Sequence, residues 1–381
     1  MRIGIDASRL NVARRTGTEN YSWQITRGLL NLPTDTNHFT LYFNQPPAPS
    51  ILQALNPRAN IEIRAMPFPR LWTHLRLSRE MVQNPPDVLF VPAHVLSLLH
   101  PRRSVVTIHD LGYLYYPQAH TRNSRLYLDY STRFSAKQAR HIIAVSYATR
   151  QDLIRHYGIE PDKISVVYHG YDQEHFRPVE DLAHIAVVRQ KYQIEPGPYL
   201  LFVGTVQPRK NLSRLLEAFA QISHDAAFKH EYPDYNNLQL VIGGKLGWLS
   251  EPITQRIEEF GLTKQVKLVG YVADKDLPAL LSGAAAFVMP SLYEGFGLPI
   301  LEAMACGTPI ICSNAGSLPE IAGDAALLHH PLDTDALAWN LRLLLASPSL
   351  RAQLRIKGLA RAQTFSWERC TRETLAILEN C

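Results

Sequence analysis

The alternation of short apolar stretches with amphipathic stretches constrains the fold of this 381-residue chain more than any other feature. Stretches rich in Val and Ile and bounded by polar residues or proline are typical of strands, and amphipathic stretches such as 19–32 and 124–139 separate several of them. This order predicts an α/β fold in which helices cover a parallel sheet. Ligands bind beyond the carboxyl ends of the strands in such sheets, so the residues that leave each strand are the first candidates for a site. The expected strands are 3–6, 39–43, 61–66, 88–91, 105–109, 141–145, 164–169, 199–204, 238–242, 266–272, 284–289 and 309–313.

A charged, proline-flanked segment interrupts this pattern between residues 178 and 198. It contains a helix-like stretch, 180–192, and the strand pattern restarts at Tyr199. Such a break is typical of a domain boundary. We therefore expect a first domain over 1–178, a linker over 179–198 and a second domain over 199–365.

Hydrophobic residues make up 46% of the chain and charged residues 19%, as in a soluble globular protein with a substantial core. No apolar run reaches the roughly 20 residues of a membrane-spanning helix, and residues 1–6 have the pattern of a strand rather than of a signal peptide. The four cysteines show no metal-binding spacing and are expected to be free thiols in a reducing compartment. These features predict a cytoplasmic protein.

The net charge of +5 is unevenly distributed: residues 1–180 hold 21 basic and 14 acidic residues (+7), and the remainder 18 and 20 (−2). A basic first half indicates an acidic partner or peripheral contact with an anionic membrane surface, although ordinary variation in surface charge would explain the same surplus. No arginine-rich run or known nucleic-acid-binding module accompanies the charge, so we expect no nucleic-acid partner.

The stretch 290–307 has the pattern of a glycine loop that connects a strand to a helix. Pro299 suits the first helical turn, where its missing N–H is not needed, and Gly307 suits the left-handed position just past the helix end. The loop amides and the helix N-terminus would offer partial positive charge to an anion such as a phosphate.

Two carboxylates accompany this loop, Glu294 within it and Glu302 eight residues later on the helix. Carboxylates repel phosphate, but they bind sugar and ribose hydroxyls through charge-assisted hydrogen bonds. Amides for a diphosphate together with carboxylates for hydroxyls fit a nucleotide-sugar. On spacing alone, a surface loop with two solvated glutamates explains the pattern equally well.

A second strand-to-helix loop carries two cations. The strand that ends at Gly204 is followed by Arg209 and Lys210, and Asn211 is a good N-cap for the helix expected over 212–222. Two cations at such a place can hold a diphosphate, and they could equally be solvated loop charges.

In the first half, Gly17 precedes a helix and His109 leaves a strand at its carboxyl end, with Asp110 as a cap or orienting partner. A lone glycine or histidine at such a place is more often structural than functional. The segments 70–79 and 112–134 combine arginine with aromatic residues, which stack on sugars and bind anions. They are acceptor-side candidates, and a helix with a solvated basic face is the alternative.

Other nucleotide-binding motifs are incomplete. The loop 243–247 lacks the upstream glycine of a phosphate-binding loop, and a leucine replaces the Ser or Thr that should follow its lysine. No G-x-G-x-x-G sequence follows any of the expected strands, which argues against a dinucleotide-dependent oxidoreductase.

Ser317 to Glu320 has the pattern of a capping box, which would begin another helix.

The sequence Glu294-Gly-Phe-Gly-Leu-Pro-Ile-Leu-Glu302 resembles the E-x7-E signature of family 4 glycosyltransferases, and the resemblance extends over nearly the whole chain. These are retaining enzymes of the GT-B fold. The resemblance implies two Rossmann-like domains that face each other across a cleft, the first on the acceptor side and the second binding the nucleotide-sugar. The last helix, within 366–381, would cross back to the first domain.

The resemblance also implies roles for individual residues. Arg209 and Lys210 would bind the leaving diphosphate, with Arg209 replacing an arginine that many members carry where this chain has Thr205. Glu294 would orient the sugar hydroxyls and Glu302 would hold the ribose. His109 would line the reaction centre. The remaining donor-binding positions are Gly17, Val272 (for the base), Phe296, Gly297 and Leu298.

The function that the resemblance implies is transfer of a hexose from a nucleotide-diphosphate sugar to a glycan or a polyprenyl-diphosphate-linked saccharide, without a metal cofactor. GDP-mannose is favoured over UDP- and dTDP-sugars, because the resemblance is to bacterial mannosyl- and rhamnosyltransferases of surface polysaccharide assembly. Two alternatives stay open: another GT-B enzyme, such as a phosphorylase or a nucleotide-sugar epimerase, and a catalytically silent nucleotide-sugar-binding module.

Overall fold

The structure, a computed structural model, describes residues 1–12, 17–33, 37–55, 60–117, 121–245 and 251–381. The chain forms two compact units, one of Met1–Gly170 with Ser366–Cys381 and one of Tyr171–Phe365. Each unit contains a sheet of short parallel strands with helices between them. The predicted α/β class is therefore confirmed.

Over its described residues, the first unit contains a seven-stranded sheet in the order β3-β2-β1-β4-β5-β6-β7, in which all neighbours are parallel. The strands are β1 (Arg2–Asp6), β2 (His38–Phe43), β3 (Ile61–Ala65), β4 (Val88–Val91), β5 (Ser104–Ile108), β6 (His141–Ala144) and β7 (Ile164–Val166). The helices are α1 (Gly17–Asn31), α2 (Pro49–Leu55), α3 (Ser78–Gln83), α4 (Gly112–Tyr115), α5 (Arg122–Gln138), α6 (Tyr147–Tyr157) and, from the end of the chain, α16 (Trp367–Asn380).

The second unit contains, within its described part, a six-stranded parallel sheet in the order β10-β9-β8-β11-β12-β13. The strands are β8 (Tyr199–Val203), β9 (Gln239–Gly243), β10 (Val266–Gly270), β11 (Ala286–Met289), β12 (Ile310–Ser313) and β13 (Ala326–His329). The helices are α7 (Leu182–Lys191), α8 (Leu212–Ser223), α9 (Ala226–Glu231), α10 (Glu251–Glu259), α11 (Leu277–Ser282), α12 (Leu298–Ala305), α13 (Leu318–Ala322), α14 (Thr334–Ala346) and α15 (Pro348–Ala362).

Both sheets reverse their strand order at one point. The chain moves from β1 outward to β3 and then returns to place β4 on the other side of β1. In the same way it moves from β8 to β10 and then places β11 beside β8. The carboxyl ends on either side of such a reversal diverge and leave a crevice where ligands bind. Ligands are therefore expected at the exits of β1 and β4 and at those of β8 and β11.

The last helix packs against α1 in the first unit, as the resemblance implied. A Cβ on Gly28 would lie 2.2 Å from the Thr371 hydroxyl oxygen, so the glycine permits the close approach of the two helices. Cys370 and Leu378 of α16 are buried in the same core as the β1 side chains. Helix α16 is thus part of the hydrophobic core of the first unit.

Two elements differ from the sequence-based expectations. Segment 179–198 was expected to be a linker, but it belongs to the second unit, where Ile185 and Val188 of α7 are buried. Strand β13 was not predicted, because it is a short edge strand in which Leu328 is 39% exposed. None of the helices in the described part of the chain has both the length and the hydropathy of a membrane-spanning segment.

Candidate active site

The loop that follows β8 brings two cations to the reversal point of the second sheet. A short 3₁₀ turn, Pro208–Lys210, leads to Asn211, which has a left-handed backbone with φ 58°. Asn211 was expected to cap α8, but its side chain makes no capping bond. Its Nδ2 instead donates to the carbonyls of Pro290, at 3.0 Å, and Pro331, at 2.7 Å. Asparagine tolerates this backbone conformation, and its amide joins the β8 loop to the β11 exit.

Arg209, Lys210 and Glu294 form an ion cluster. The Lys210 Nζ donates to Glu294 Oε1 at 2.7 Å, and the Arg209 Nη1 donates to Glu294 Oε2 at 3.0 Å and to the Tyr293 carbonyl at 2.5 Å. The Lys210 and Glu294 residues are each only 7% exposed. Two cations and one carboxylate leave the cluster with a net charge of +1, which suits an anion. The carboxylate oxygens retain lone pairs that can accept from further hydroxyl groups.

Glu294 is held in its charged form. Burial alone would raise its pKa, but the positive charges of Lys210 and Arg209 outweigh burial and lower the pKa to about 2. The backbone beside it is fixed by close packing: the amide and hydroxyl of Ser317 both donate to the Glu294 carbonyl at 3.1 Å. A Cβ on Gly316 would lie only 2.4 Å from that same oxygen. The predicted capping box is therefore wrong: the Ser317 hydroxyl donates to the Glu294 carbonyl and makes no capping bond with α13.

Helix α12 begins directly after the glycine loop. Gly297 at its N-terminal boundary has φ +98°, a conformation that requires glycine, and Pro299 lies in the first turn, as expected. Gly307 has φ +74° just past the helix end, which is also as expected. Phe296 is buried edge-on against Phe365, with ring centroids 6.1 Å apart. The loop therefore offers its backbone groups to the site, whereas the Phe296 ring packs against Phe365 in the interior of the second unit.

Glu302 lies on α12 and contrasts with Glu294. Its partly buried carboxyl makes no hydrogen bond or ion pair with any residue that the structure describes. Burial, followed by the negative charge of Asp274, raises its pKa to about 8. A carboxyl that is poorly solvated and without a protein partner is suited to hydroxyl groups from a ligand.

Glycines let the strand exits approach one another. A Cβ on Gly244 would lie 2.0 Å from the Gly204 carbonyl oxygen, and a Cβ on Gly243 would lie 2.8 Å from a Val272 methyl group. Val272 is 5% exposed and lies two residues after β10 rather than within it. The rejected phosphate-loop pattern 243–247 extends at its end beyond the described residues.

His109 leaves β5 in the first unit, as predicted. Its Nε2–H donates to the Pro92 carbonyl after β4 at 3.1 Å, and its ring lies edge-on to that of Tyr21 with centroids 4.8 Å apart. Burial lowers the pKa of His109 to about 4, although the Pro92 carbonyl raises it. The ring is therefore neutral at pH 7. Asp110 accepts from the Gly112 amide at 2.9 Å, as a local cap would.

Gly17 is the exposed first residue of α1, and residues 13–16 before it lie outside the described part of the chain. The two basic aromatic segments of the first unit are in contact, because the His74 ring and the Tyr127 hydroxyl are 3.0 Å apart. Leu71, Leu75, Tyr127 and Tyr130 are between 47% and 68% exposed. These segments present apolar as well as basic groups to solvent, a mixture that the sequence analysis did not anticipate.

The structure thus brings Arg209, Lys210 and Glu294 into direct contact in the second unit, with Gly297, Leu298 and Glu302 on the following helix. Gly17 and His109 belong to the first unit. Sequence reasoning missed Gly244, Gly316 and Ser317. A glycine beside a strand end was visible as a signal, but the atoms that it must avoid come from distant parts of the chain.

Comparison with known families divides the chain at a similar place. Residues 15–175 match the family model described as Glycosyltransferase Family 4, and residues 185–361 match the model described as Glycosyl transferases group 1. The chain also resembles sucrose-phosphate synthase from Thermosynechococcus elongatus, with a TM-score of 0.76, 22% identity and coverage of 100% of this chain and 98% of that one. At this identity the likeness shows the fold alone, which is the GT-B fold.

Two curated relatives are mannosyltransferases. The O-antigen chain mannosyltransferase B of Escherichia coli is 38% identical over 72% of this chain and 69% of its own length. The MMP alpha-(1->4)-mannosyltransferase of Mycolicibacterium hassiacum is 32% identical over 64% of this chain and 55% of its own length. The family matches and the similarity to the Escherichia coli protein over more than two thirds of both chains show that this chain belongs to the family 4 glycosyltransferases.

Proposed function

We propose that this glycosyltransferase moves a hexose from a nucleotide-diphosphate sugar to a saccharide acceptor with retention of configuration and without a metal. The observation that carries the proposal is the cluster of Arg209, Lys210 and Glu294 at the reversal point of the second sheet. Its net charge of +1, beside an α-helix N-terminus, is suited to a diphosphate.

The reaction breaks the bond between the anomeric carbon and the diphosphate oxygen and forms a bond from that carbon to an acceptor oxygen. Negative charge grows on the leaving diphosphate as the bond breaks. Arg209, Lys210 and the amides near Gly297 and Leu298 stabilise this charge, and because they are already fixed, little reorganisation is needed. The leaving phosphate oxygen takes the proton of the acceptor hydroxyl on the same face of the sugar, which retains the configuration.

The carboxyl groups and the histidine have separate roles in this proposal. Glu294, charged and fixed by two cations, accepts hydrogen bonds from sugar hydroxyls through its remaining lone pairs. Glu302, which has no partner in the described residues, accepts from the ribose. His109, in the first unit, contributes a ring that burial keeps neutral at pH 7.

We assign mannose as the transferred sugar and GDP-mannose as the donor, because both curated relatives described above are named mannosyltransferases. The acceptor is a glycan or a polyprenyl-diphosphate-linked saccharide of surface polysaccharide assembly. A lipid-linked acceptor is supported by the surplus of basic residues in the first half of the chain and by the exposed Leu71, Leu75 and Tyr130. Basic and apolar groups together favour peripheral contact with an anionic membrane.

The test is a thermal-shift screen with GDP, UDP, ADP and dTDP, each with and without EDTA. A ligand that binds only the folded protein raises the melting temperature, and GDP is expected to raise it most, with no effect of EDTA. Transfer from GDP-mannose to a mannose-terminated oligosaccharide would follow, with the new anomeric configuration read by NMR. No shift with any nucleotide at concentrations of several millimolar would contradict the proposal, and a shift abolished by EDTA would contradict its metal-free form.

A further inference from the structure

The hydroxyl group of Tyr192 connects the end of α7 to the loop after β10. The Ala273 amide donates to the Tyr192 hydroxyl oxygen at 2.9 Å, and that hydroxyl donates to Asp276 Oδ2 at 2.8 Å. Lys191 Nζ donates to the same carboxylate oxygen. Lys191, Tyr192 and Asp276 together therefore fix the direction of the Ala273 N–H.

The carboxylate determines how the hydroxyl is oriented. Asp276 is 6% exposed, and an ionised carboxylate only accepts hydrogen bonds, so the tyrosine proton must point toward it. A hydroxyl lone pair then faces the Ala273 amide. Burial would raise the pKa of Asp276, but the hydrogen bonds from Lys191 and Tyr192 outweigh it and lower the pKa, which keeps the carboxylate charged at neutral pH.

Val272, the residue before Ala273, differs from it in its backbone hydrogen bonds. The backbone N–H and C=O of Val272 make no hydrogen bond within the described residues, whereas the Ala273 N–H is bound by Tyr192 and the Ala273 carbonyl accepts from the Asp276 amide at 2.9 Å. The Val272 side chain is buried against Gly243, so the residue cannot rotate freely. Among the residues that the structure describes, one donor and one acceptor are thus left together at the β10 exit, where they are suited to a ligand.

We propose that Tyr192 is a positioning residue for the nucleotide base. The inference rests on the proposed function and on the expectation, implied by the family resemblance, that Val272 at the exit of β10 contacts the base. Each nucleobase has adjacent donor and acceptor groups on its edge, which the N–H and C=O of Val272 complement. Tyr192 occupies the next amide and fixes the loop, so that the base meets a single donor–acceptor pair in one orientation.

The test is the Tyr192→Phe variant, measured by calorimetric titration with GDP, UDP and inorganic diphosphate. Loss of one hydroxyl frees the Ala273 amide and loosens the loop, so the Kd for the nucleotide that binds is expected to rise about fivefold to tenfold. The affinity for inorganic diphosphate, which has no base, should stay within twofold. In turnover assays, KM for the donor should rise while kcat at saturating donor changes little.

Tyr199→Phe is a matched control in the same unit. The buried Tyr199 hydroxyl donates to the Leu280 carbonyl at 2.6 Å, so its removal also deletes one hydrogen bond. It should lower the melting temperature without changing nucleotide affinity. Asp276→Asn keeps an acceptor for the tyrosine proton and should give a smaller rise in Kd than Tyr192→Phe, about twofold to threefold.

The outcomes separate the two proposals. If the wild-type protein binds neither nucleotide, the proposed function and this inference are both overturned. If it binds but Tyr192→Phe has wild-type affinity, or if Tyr199→Phe weakens binding equally, only the role of Tyr192 is rejected. An equal loss of affinity for inorganic diphosphate would also reject it, because the effect would then be a general loss of structure.

Discussion

The two units place different chemistry at the carboxyl ends of similar parallel sheets. In the second unit, Arg209, Lys210 and Glu294 form a cluster of three charges. In the first unit, the ring of His109 lies against Tyr21, whose ring stacks on His169 at 4.7 Å. Glu294 is buried and His109 is partly buried, so the nature of the partners as well as access to solvent determines which of the two groups is charged.

The pKa values of two residues show what the difference means. The pKa of Glu294 falls to about 2 because two cations outweigh its burial, whereas the pKa of His109 falls to about 4 because burial outweighs its single carbonyl partner. At neutral pH the second unit therefore keeps its charges and His109 stays uncharged.

The largest expected effect comes from removing one cation of the charged cluster. Arg209→Ala should lower kcat by about 100-fold or more, because the leaving diphosphate loses a fixed positive charge that acts mainly in the transition state. Lys210 remains to neutralise Glu294, so the fold should be retained. Initial rates at saturating donor, together with the melting temperature, measure both expectations.

Arg342→Ala provides the comparison, because the Arg342 guanidinium pairs with Asp225 elsewhere in the same unit. It should leave kcat within about twofold of wild type, as is usual for a partly exposed ion pair. Near-normal turnover in Arg209→Ala, or an equal loss in Arg342→Ala, would remove Arg209 from the reaction centre.

The second prediction concerns Glu302, which lies in the second unit and pairs with no cation among the residues that the structure describes. Its pKa is raised from 4.5 to about 8, so the ligand-free protein should lose stability as pH rises through this range, when the carboxyl must ionise. Glu302→Gln should remove that loss and melt a few degrees higher than wild type at pH 9, with little difference at pH 5. The same variant should bind nucleotide about tenfold more weakly.

Glu217→Gln on α8 is the control, since Glu217 is exposed and, within the described part of the chain, its carboxylate accepts a single 3.3 Å hydrogen bond, from Thr334. Its melting temperature should differ from wild type by the same small amount at both pH values. A Glu302→Gln difference that does not grow with pH would show that Glu302 is ionised and solvated in the free protein.

The smallest expected effect concerns His109, the neutral group of the first unit. His109 has a pKa near 4, so its ring should stay neutral between pH 5.5 and 8, and its NMR signals should shift by little over that range. The His109 signals are identified as those that the wild-type spectrum contains and the His109→Ala spectrum lacks. A titration midpoint near 6.5 would mean that the ring is charged in mildly acidic solution, and the contrast between the units would then disappear.

Much of the fold follows from local pattern. Short apolar strands and amphipathic helices are encoded by neighbouring residues, which is why the strand over 88–91 was predicted to the residue. Left-handed Gly307 and first-turn Pro299 also follow from their own backbone requirements. Strand β13 was missed because one side of an edge strand needs no apolar residues.

The errors at the site share a physical cause. Asn211 and Ser317 both have the chemistry of a helix cap, and local pattern assigns them to the nearest helix. In the structure, each satisfies a carbonyl that is far away in sequence, from Pro290 and Glu294 respectively. The same holds for Tyr192, whose partner Ala273 is 81 residues away. Long-range hydrogen bonds of this kind leave no local signal.

The position of α16 has a consequence for synthesis of the protein. The second unit is a continuous segment, 171–365, and all its parts have been made before residue 366 is added. The first unit needs α16, whose Cys370 and Leu378 complete the core around β1. Domains made first generally fold first. Here the first unit is complete only after residues 367–380 have been made, which is later than the whole of the second unit. The core around β1 therefore lacks the apolar side chains of α16 for as long as the second unit is being translated.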